Sequence, residues 1–277
     1  MVTYASKKSR ILHTTAYYVA VYFILFAVIF PFLWMVLSSF KMQSQMLNLK
    51  YLFKFDATSK NYRDLFSNYN FFRPILNSFI IALISTGLSL VLALPASYRI
   101  ARFGMKKTSL LLLVVRMIPA ITFLVPWFVI FTFIGIVDTH FGLILAHMVV
   151  ALPFIIWIMV PFFESLPKEL EESAAVDGST RFNSFLKIIL PISGPGIVTS
   201  AILSFVFSWN NFMFGIILSG RNTKTLPVAI YGFISYTDIN WGGLMAGSVV
   251  VTIPVIVISL FLQKYIIKGL TAGAVKG

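Results

Sequence analysis

Cysteine is missing from the 277-residue chain altogether, which excludes a disulfide framework and any thiolate metal or redox site. Histidine is nearly as scarce. His13, His140 and His147 lie on separate segments without ligand spacing, so no metal site is expected. Acidic residues number 9 against 22 Lys plus Arg, and charged residues make up 11% of the chain. A soluble domain of this length needs more charge to keep its surface wet. The phosphate-cradling pattern G-x-x-x-x-G-K-[ST] is also lacking, so this polypeptide has no evident means of hydrolysing a nucleoside triphosphate. No nucleophile–base constellation stands out, and no catalytic residue is assigned.

What the chain has is apolar length. It is 58% hydrophobic, its mean hydropathy is +0.90, and six stretches reach the roughly 20 residues a bilayer crossing needs. They run over about 13–40, 74–98, 108–134, 141–163, 192–219 and 242–265. The expected fold is an all-α integral membrane protein, a single transmembrane domain over 1–277 surrounded by membrane lipid. The mixed polar and aromatic segment from Lys41 to Arg73 is long enough for short surface helices, and a charged loop, 164–191, joins the fourth and fifth stretches. The net charge of +13 would suit nucleic acid only on a soluble basic face. Here Lys and Arg cluster at the ends of apolar runs, so no nucleic-acid partner is expected. Lys7, Lys8 and Arg10 precede an apolar run too long for a signal-peptide core, which reads as a retained first helix. With the amino terminus inside, the inner segments hold 13 Lys and Arg and the outer ones 8, with Arg116 left in a span. That bias puts both termini in the cytoplasm. Pro31, Pro95, Pro119, Pro126, Pro153, Pro161 and Pro254 fall within the spans. They are either ordinary membrane prolines or kinks around a path that opens and closes.

The most specific pattern lies in the 164–191 loop. Pro167 suits a first helical position, and Glu169, Glu171 and Glu172 place negative charge on the positive end of a helix dipole. Gly178 can end that helix in the left-handed region, and Ser179 or Thr180 can cap the next. The expected product is a rigid, acidic, small-faced knob of two short helices. Glu172-Ser173-Ala174, three residues, Gly178, nine residues, and then Ile188-x-Leu190-Pro191 follow one another. This resembles the cytoplasmic loop motif E-A-A-x(3)-G-x(9)-I-x-L-P of binding-protein-dependent ABC importer permeases, with Ser173 in place of Ala.

The resemblance implies that the loop forms a coupling helix seated in a cleft of a separate ATP-binding subunit. Glu172 and Asp177 would be its polar anchors, Ser173, Ala174 and Gly178 would allow close approach, and Leu170 would be a packing contact. ATP and Mg would be used by that partner ATPase, and this chain would bind no cofactor. Arg116-Met117-Ile118-Pro119, Ala151-Leu152-Pro153-Phe154, Ser208-Trp209-Asn210-Asn211-Phe212 and the tail from Gly269 to Gly277 look like the six-span, maltose-type carbohydrate branch. That branch implies an oligosaccharide or glycoside substrate, a second homologous permease, an ATPase dimer and an extracellular or periplasmic sugar-binding protein. The outer segments Lys41–Arg73 and Arg221–Trp241 would help receive the binding protein. The tail either reaches between the ATPase subunits or frays.

Polar residues inside the spans are the remaining candidates. Arg116 lies about 13 Å beyond Lys107 at helical rise. A central Arg costs about 2.5–3.5 kcal/mol on insertion scales, so it either lines the path or locks to a backbone carbonyl. Trp209, Asn210 and Asn211 combine amides with an aromatic face, the chemistry that holds sugars, or they bond between helices. Asn77 and His147 have a satisfied polar contact as their default reading, with a path role as the alternative. The rival readings are an ion-gradient-driven secondary transporter, which calls for interrupted helices and intramembrane acids, a membrane-embedded enzyme, and a non-transporting scaffold or receptor.

Overall fold

A computed structural model describes residues 7–235 and 238–271. Its α-helices are α1 (Lys7–Ser39), α2 (Gln43–Met46), α3 (Lys60–Ser67), α4 (Phe72–Arg102), α5 (Lys106–Met117), α6 (Leu124–Phe133) and α7 (His140–Ser165). They continue as α8 (Glu169–Val176), α9 (Arg181–Ser184), α10 (Leu190–Ile192), α11 (Gly194–Trp209), α12 (Met213–Leu218), α13 (Leu226–Tyr231) and α14 (Trp241–Thr271). Short 3-10 turns cover Leu49–Tyr51 and Ala120–Phe123, and Phe185–Ile189 is a π-helical turn. Among the described residues the only extended pairing is one antiparallel bridge, Ile234 to Ile239.

Among the described residues, four helices are long and apolar enough to cross a membrane: His13–Ser39, Phe72–Arg102, His140–Ser165 and Trp241–Phe261. Two bent pairs bring the number to six if each is one span. The stretch expected as a continuous helix over 108–134 is broken, with Lys106–Met117 and Ala120–Phe133 meeting at 82°. Pro119 is the cause: it disfavours helical geometry at the residue before it, and Ile118 is extended at φ −69, ψ 122. Pro126, in contrast, falls in the first turn of α6, where no backbone donor is lost. The expected helix over 192–219 is also interrupted. α11 stops at Trp209, α12 restarts at Met213, and α11 meets the preceding Arg181–Ile192 run at 75°.

The chain divides into two compact units, 1–69 with 233–250 and 70–232 with 251–277. The first holds α1, the short helices α2 and α3 of the expected surface segment, and the start of α14. No residue from 13 to 37 of α1 is buried, as for a helix apolar on all sides with lipid as its solvent. At its end Lys41 is buried, donating to the Leu52 carbonyl at 2.8 Å with its ammonium 4.6 Å from the Trp34 ring centroid. Burial lowers its pKa below the usual lysine value.

The second unit is built on α4, α7 and α11. Lipid is as apolar as leucine, so helices associate in a membrane through small residues and close packing. The buried face of α4 accordingly carries Ser78, Ala82, Ser85, Ser89, Ala93 and Ser97, and that of α11 carries Gly196, Ser200, Ser204 and Ser208. A Cβ at Gly196 would come within 2.7 Å of the Phe162 ring, so only glycine lets α11 approach α7 there. One apolar cluster joins Ala93 and Ile100 of α4 to Ile155, Met159 and Phe163 of α7 and to Phe185 and Ile189. Another joins Ile81, Leu143, Phe131, Phe214 and Leu218.

Candidate functional site

The charged loop folds as its residue types require. Glu169, Glu171 and Glu172 fall in the first turn of α8, where the dipole favours them. Gly178 follows the helix at φ +79, and Thr180 caps α9 by accepting from the Asn183 amide at 3.3 Å. Pro167 lies just ahead of the cap residue Lys168 rather than at the first helical position. At 3.6 residues per turn, positions 172, 173 and 176 share one side of α8, while 170, 171 and 174 share another. Glu172 and Ser173 are exposed, as are Asp177 and Gly178 beyond the helix end; Leu170 is half-buried. Ala174 departs from expectation: it is buried, so its small size serves packing within the chain rather than approach by a partner. In its place the outward side presents Val176, 88% exposed, with Phe182 nearby in sequence at 68%.

The inward side of α8 carries a contact the sequence did not disclose. Glu171 accepts from Tyr98 Oη at 2.6 Å and from Arg102 Nε at 2.5 Å, and Arg102 also donates to the Leu166 carbonyl at 3.1 Å. These partners lie about 70 positions apart, and local spacing carries no signal of them.

Within the spans the candidates separate. Arg116 is exposed in the last turn of α5, its guanidinium 4.1 Å from the Trp157 centroid and 5.1 Å from that of Phe154. It borders a cavity of about 220 Å³ lined also by Val150, Ala151, Phe154, Ser204 and Phe207. The Ser204 hydroxyl is buried there without a partner. Trp209 is turned inward, 2% exposed, with Nε1 donating to the Val251 carbonyl at 3.0 Å and its ring stacked on Phe205. Asn210 is exposed at the end of α11 and returns its amide to the Val206 carbonyl. Asn211 is half-buried, and its Oδ1 accepts from the Phe214 amide at the start of α12. The three therefore do not form one face: the amides sit at a helix break while the indole is held inside. Asn77 is buried and fully engaged, donating to the Asn222 and Lys224 carbonyls and meeting His140 Nε2 at 3.0 Å. His140 and His147 share α7 instead of lying on separate segments. His147 is buried against Ser208 at 2.5 Å, and Ser208 lies 3.3 Å from Ser85.

A second hub missed in the sequence is Asp138, in the α6–α7 turn at φ +57. Its carboxylate accepts from the amides of Gly220, Asn222 and Thr223 and from the Thr223 hydroxyl and Asn222 side chain. Burial by itself would raise its pKa, but these hydrogen bonds outweigh burial and hold it below the usual value.

The family profile described as "Binding-protein-dependent transport system inner membrane component" matches residues 87–272, which take in the second half of α4 and all of α5 to α14. The chain belongs to this family. The permease is also 39% identical to a trehalose transport system permease protein of Mycobacterium tuberculosis, over 89% of this chain and 92% of that one. It is 35% identical to a trehalose/maltose transport system permease protein of Thermococcus litoralis, over 92% and 94%. In fold it is similar to a bacterial ABC transporter involved in import of the acidic polysaccharide alginate, with a TM-score of 0.79, 18% identity and coverage of 95% and 99%. Interrupted spans are thus compatible with an importer permease and do not by themselves argue for an ion-driven transporter. The tail from 272 to 277, including Lys276, lies outside the described residues.

Proposed function

We propose that the permease forms half of the path for an oligosaccharide or glycoside and is driven through α8 by a separate ATPase that uses ATP and Mg. The carrying observation is the acidic helix α8, closed by Gly178 at φ +79 and presenting Glu172, Ser173, Val176 and Asp177 outward at the motif's spacing. A short rigid knob with exposed anionic and apolar groups fits a cleft in a partner. The carbohydrate assignment rests on the two relatives named for trehalose and maltose transport.

In this reading Lys106–Met117 with Ala120–Phe133 is one span and α11 with α12 another, giving six over a single transmembrane domain, with both termini and the 164–191 loop in the cytoplasm. Arg116, the unpartnered Ser204 hydroxyl, Asn210 and Asn211 supply polar groups toward the path, and Trp209 and Asn77 hold the helices that carry them. On the outer side, Gln43, Asn61, Asp64, Tyr69, Asp238 and Asn240 border a cavity of about 730 Å³, suited to receiving a loop of the sugar-binding protein. A second, homologous permease completes the path, and ATP binding by the ATPase dimer moves α8 and opens the spans outward.

The test is Glu172→Lys in the assembled importer. The variant is expected to insert normally but to lose ATPase co-purification and uptake of radiolabelled trehalose or maltose. Normal retention of the ATPase by that variant would remove α8 from the docking role.

A further inference from the structure

Adjacent residues on a helix point about 100° apart, so Glu171 and Glu172 cannot serve the same surface. Glu172 is exposed, whereas Glu171 is directed into the chain, where its carboxylate is held at both oxygens. Both donors come from the end of α4, Tyr98 and Arg102, and the Arg102 and Glu171 side chains are only 8% and 21% exposed. Arg102 reaches a third element as well, through the Leu166 carbonyl at the end of α7. Tyr98 extends the connection to a fourth. Its ring lies 4.8 Å from Phe185, the first residue of the π-helical turn that leads through α10 to α11, and 5.9 Å from Phe163 of α7. π-Helical turns are rare and concentrate where function requires an irregular helix. The other terminal nitrogen of Arg102 is buried with no acceptor, so this arrangement leaves one guanidinium donor unmet.

We infer that Glu171, Arg102 and Tyr98 form the joint that carries displacement of α8 into α4, α7 and the segment leading to α11, dividing the work of the two neighbouring glutamates. Glu172 grips the ATPase, and Glu171 grips the spans. Charge-assisted hydrogen bonds are shorter and stiffer than neutral ones, and a carboxylate restrained at both oxygens resists rotation as well as extension. Movement of the knob is thereby transmitted as a rigid-body shift of helix ends instead of being absorbed by side-chain rearrangement. These are positioning residues, since they act through the helix ends they join. The inference rests on the proposed coupling role of α8.

The experiment uses the whole importer in proteoliposomes, and measures ATP hydrolysis with and without its binding protein. That ratio reports whether a signal at the outer face reaches the ATPase, and it requires no knowledge of the solute. Glu171→Gln and Arg102→Gln are expected to retain the ATPase subunits and the basal rate while the stimulation ratio falls toward unity. Tyr98→Phe, which removes one hydroxyl and keeps the ring packing, should give a smaller fall. The charge exchange Arg102→Glu with Glu171→Arg should recover part of the stimulation, a rescue that loss of folding would not show. An unchanged ratio in Glu171→Gln and Tyr98→Phe, with Glu172→Lys still releasing the ATPase, overturns the joint alone. If Glu172→Lys leaves the ATPase bound and stimulated, the coupling role itself fails, and the joint with it.

Discussion

Replacing Asp138 by alanine should loosen the turn between α6 and α7 and with it the 219–224 segment. The carboxylate accepts from the Gly220 amide at 2.8 Å, the Thr223 amide at 3.0 Å and the Thr223 hydroxyl at 2.8 Å, three part-buried donors. Asn222 is exposed and will find water when the acceptor is removed. A buried donor left unsatisfied costs about 1–3 kcal/mol, and such costs within one network are not additive. The expected loss is therefore about 2–5 kcal/mol. At roughly 2–4 °C per kcal/mol for a chain approaching this size, the apparent Tm in detergent should fall by about 5–15 °C. Tryptophan fluorescence can follow the transition, because the chain has 5 tryptophans and no cysteine for thiol dyes. Asp138→Asn is the companion variant. Asparagine tolerates positive φ as aspartate does, so it isolates the charge from the backbone conformation, and an intermediate loss is expected. The pH dependence has a definite sign. The folded pKa lies below the ordinary value, so the contribution is complete above about pH 4 and is lost as pH falls through the folded value. Wild type should lose this increment on acidification, whereas the Asn variant should lack that component. An apparent Tm for Asp138→Ala within about 1 °C of wild type at neutral pH, less than any single unsatisfied donor predicts, would refute the reasoning.

Gly178→Ala places a Cβ at φ +79, which costs about 1–2 kcal/mol. The strain should weaken ATPase co-purification more than it lowers apparent Tm, because it acts at the end of α8. Trp209→Phe keeps an aromatic ring beside Phe205 but strips the Val251 carbonyl of its indole donor, for a loss of about 1 kcal/mol; the apparent Tm should drop slightly while uptake kinetics hold. Asn210→Ala combined with Asn211→Ala should weaken solute uptake with ATPase docking intact, read as uptake against co-purification. Unchanged uptake would confine both amides to closing α11 and opening α12.

How much was legible depended on whether the physical cause was local. The apolar runs are local, so the all-helical class and the positions of the four long apolar helices could be read in sequence. The α8–α9 knob was legible because its causes lie within a few residues: acidic groups in the first turn, Gly178 at a left-handed stop and Thr180 as a cap. Even the break at Ile118 had a local signal in Pro119, which composition alone treated as a tolerable kink. What the tertiary structure decided was direction. Periodicity placed Ala174 beside Glu172 in sequence but not which of them faced out, and the inward turn of Trp209 was set by a carbonyl 42 positions away. The joint of Glu171 with Tyr98 and Arg102, and the nest of amides around Asp138, depend on pairings across some 70 to 85 positions. Chain connectivity carries no trace of such distances; only the packing of small-faced helices brings those groups within reach of a hydrogen bond.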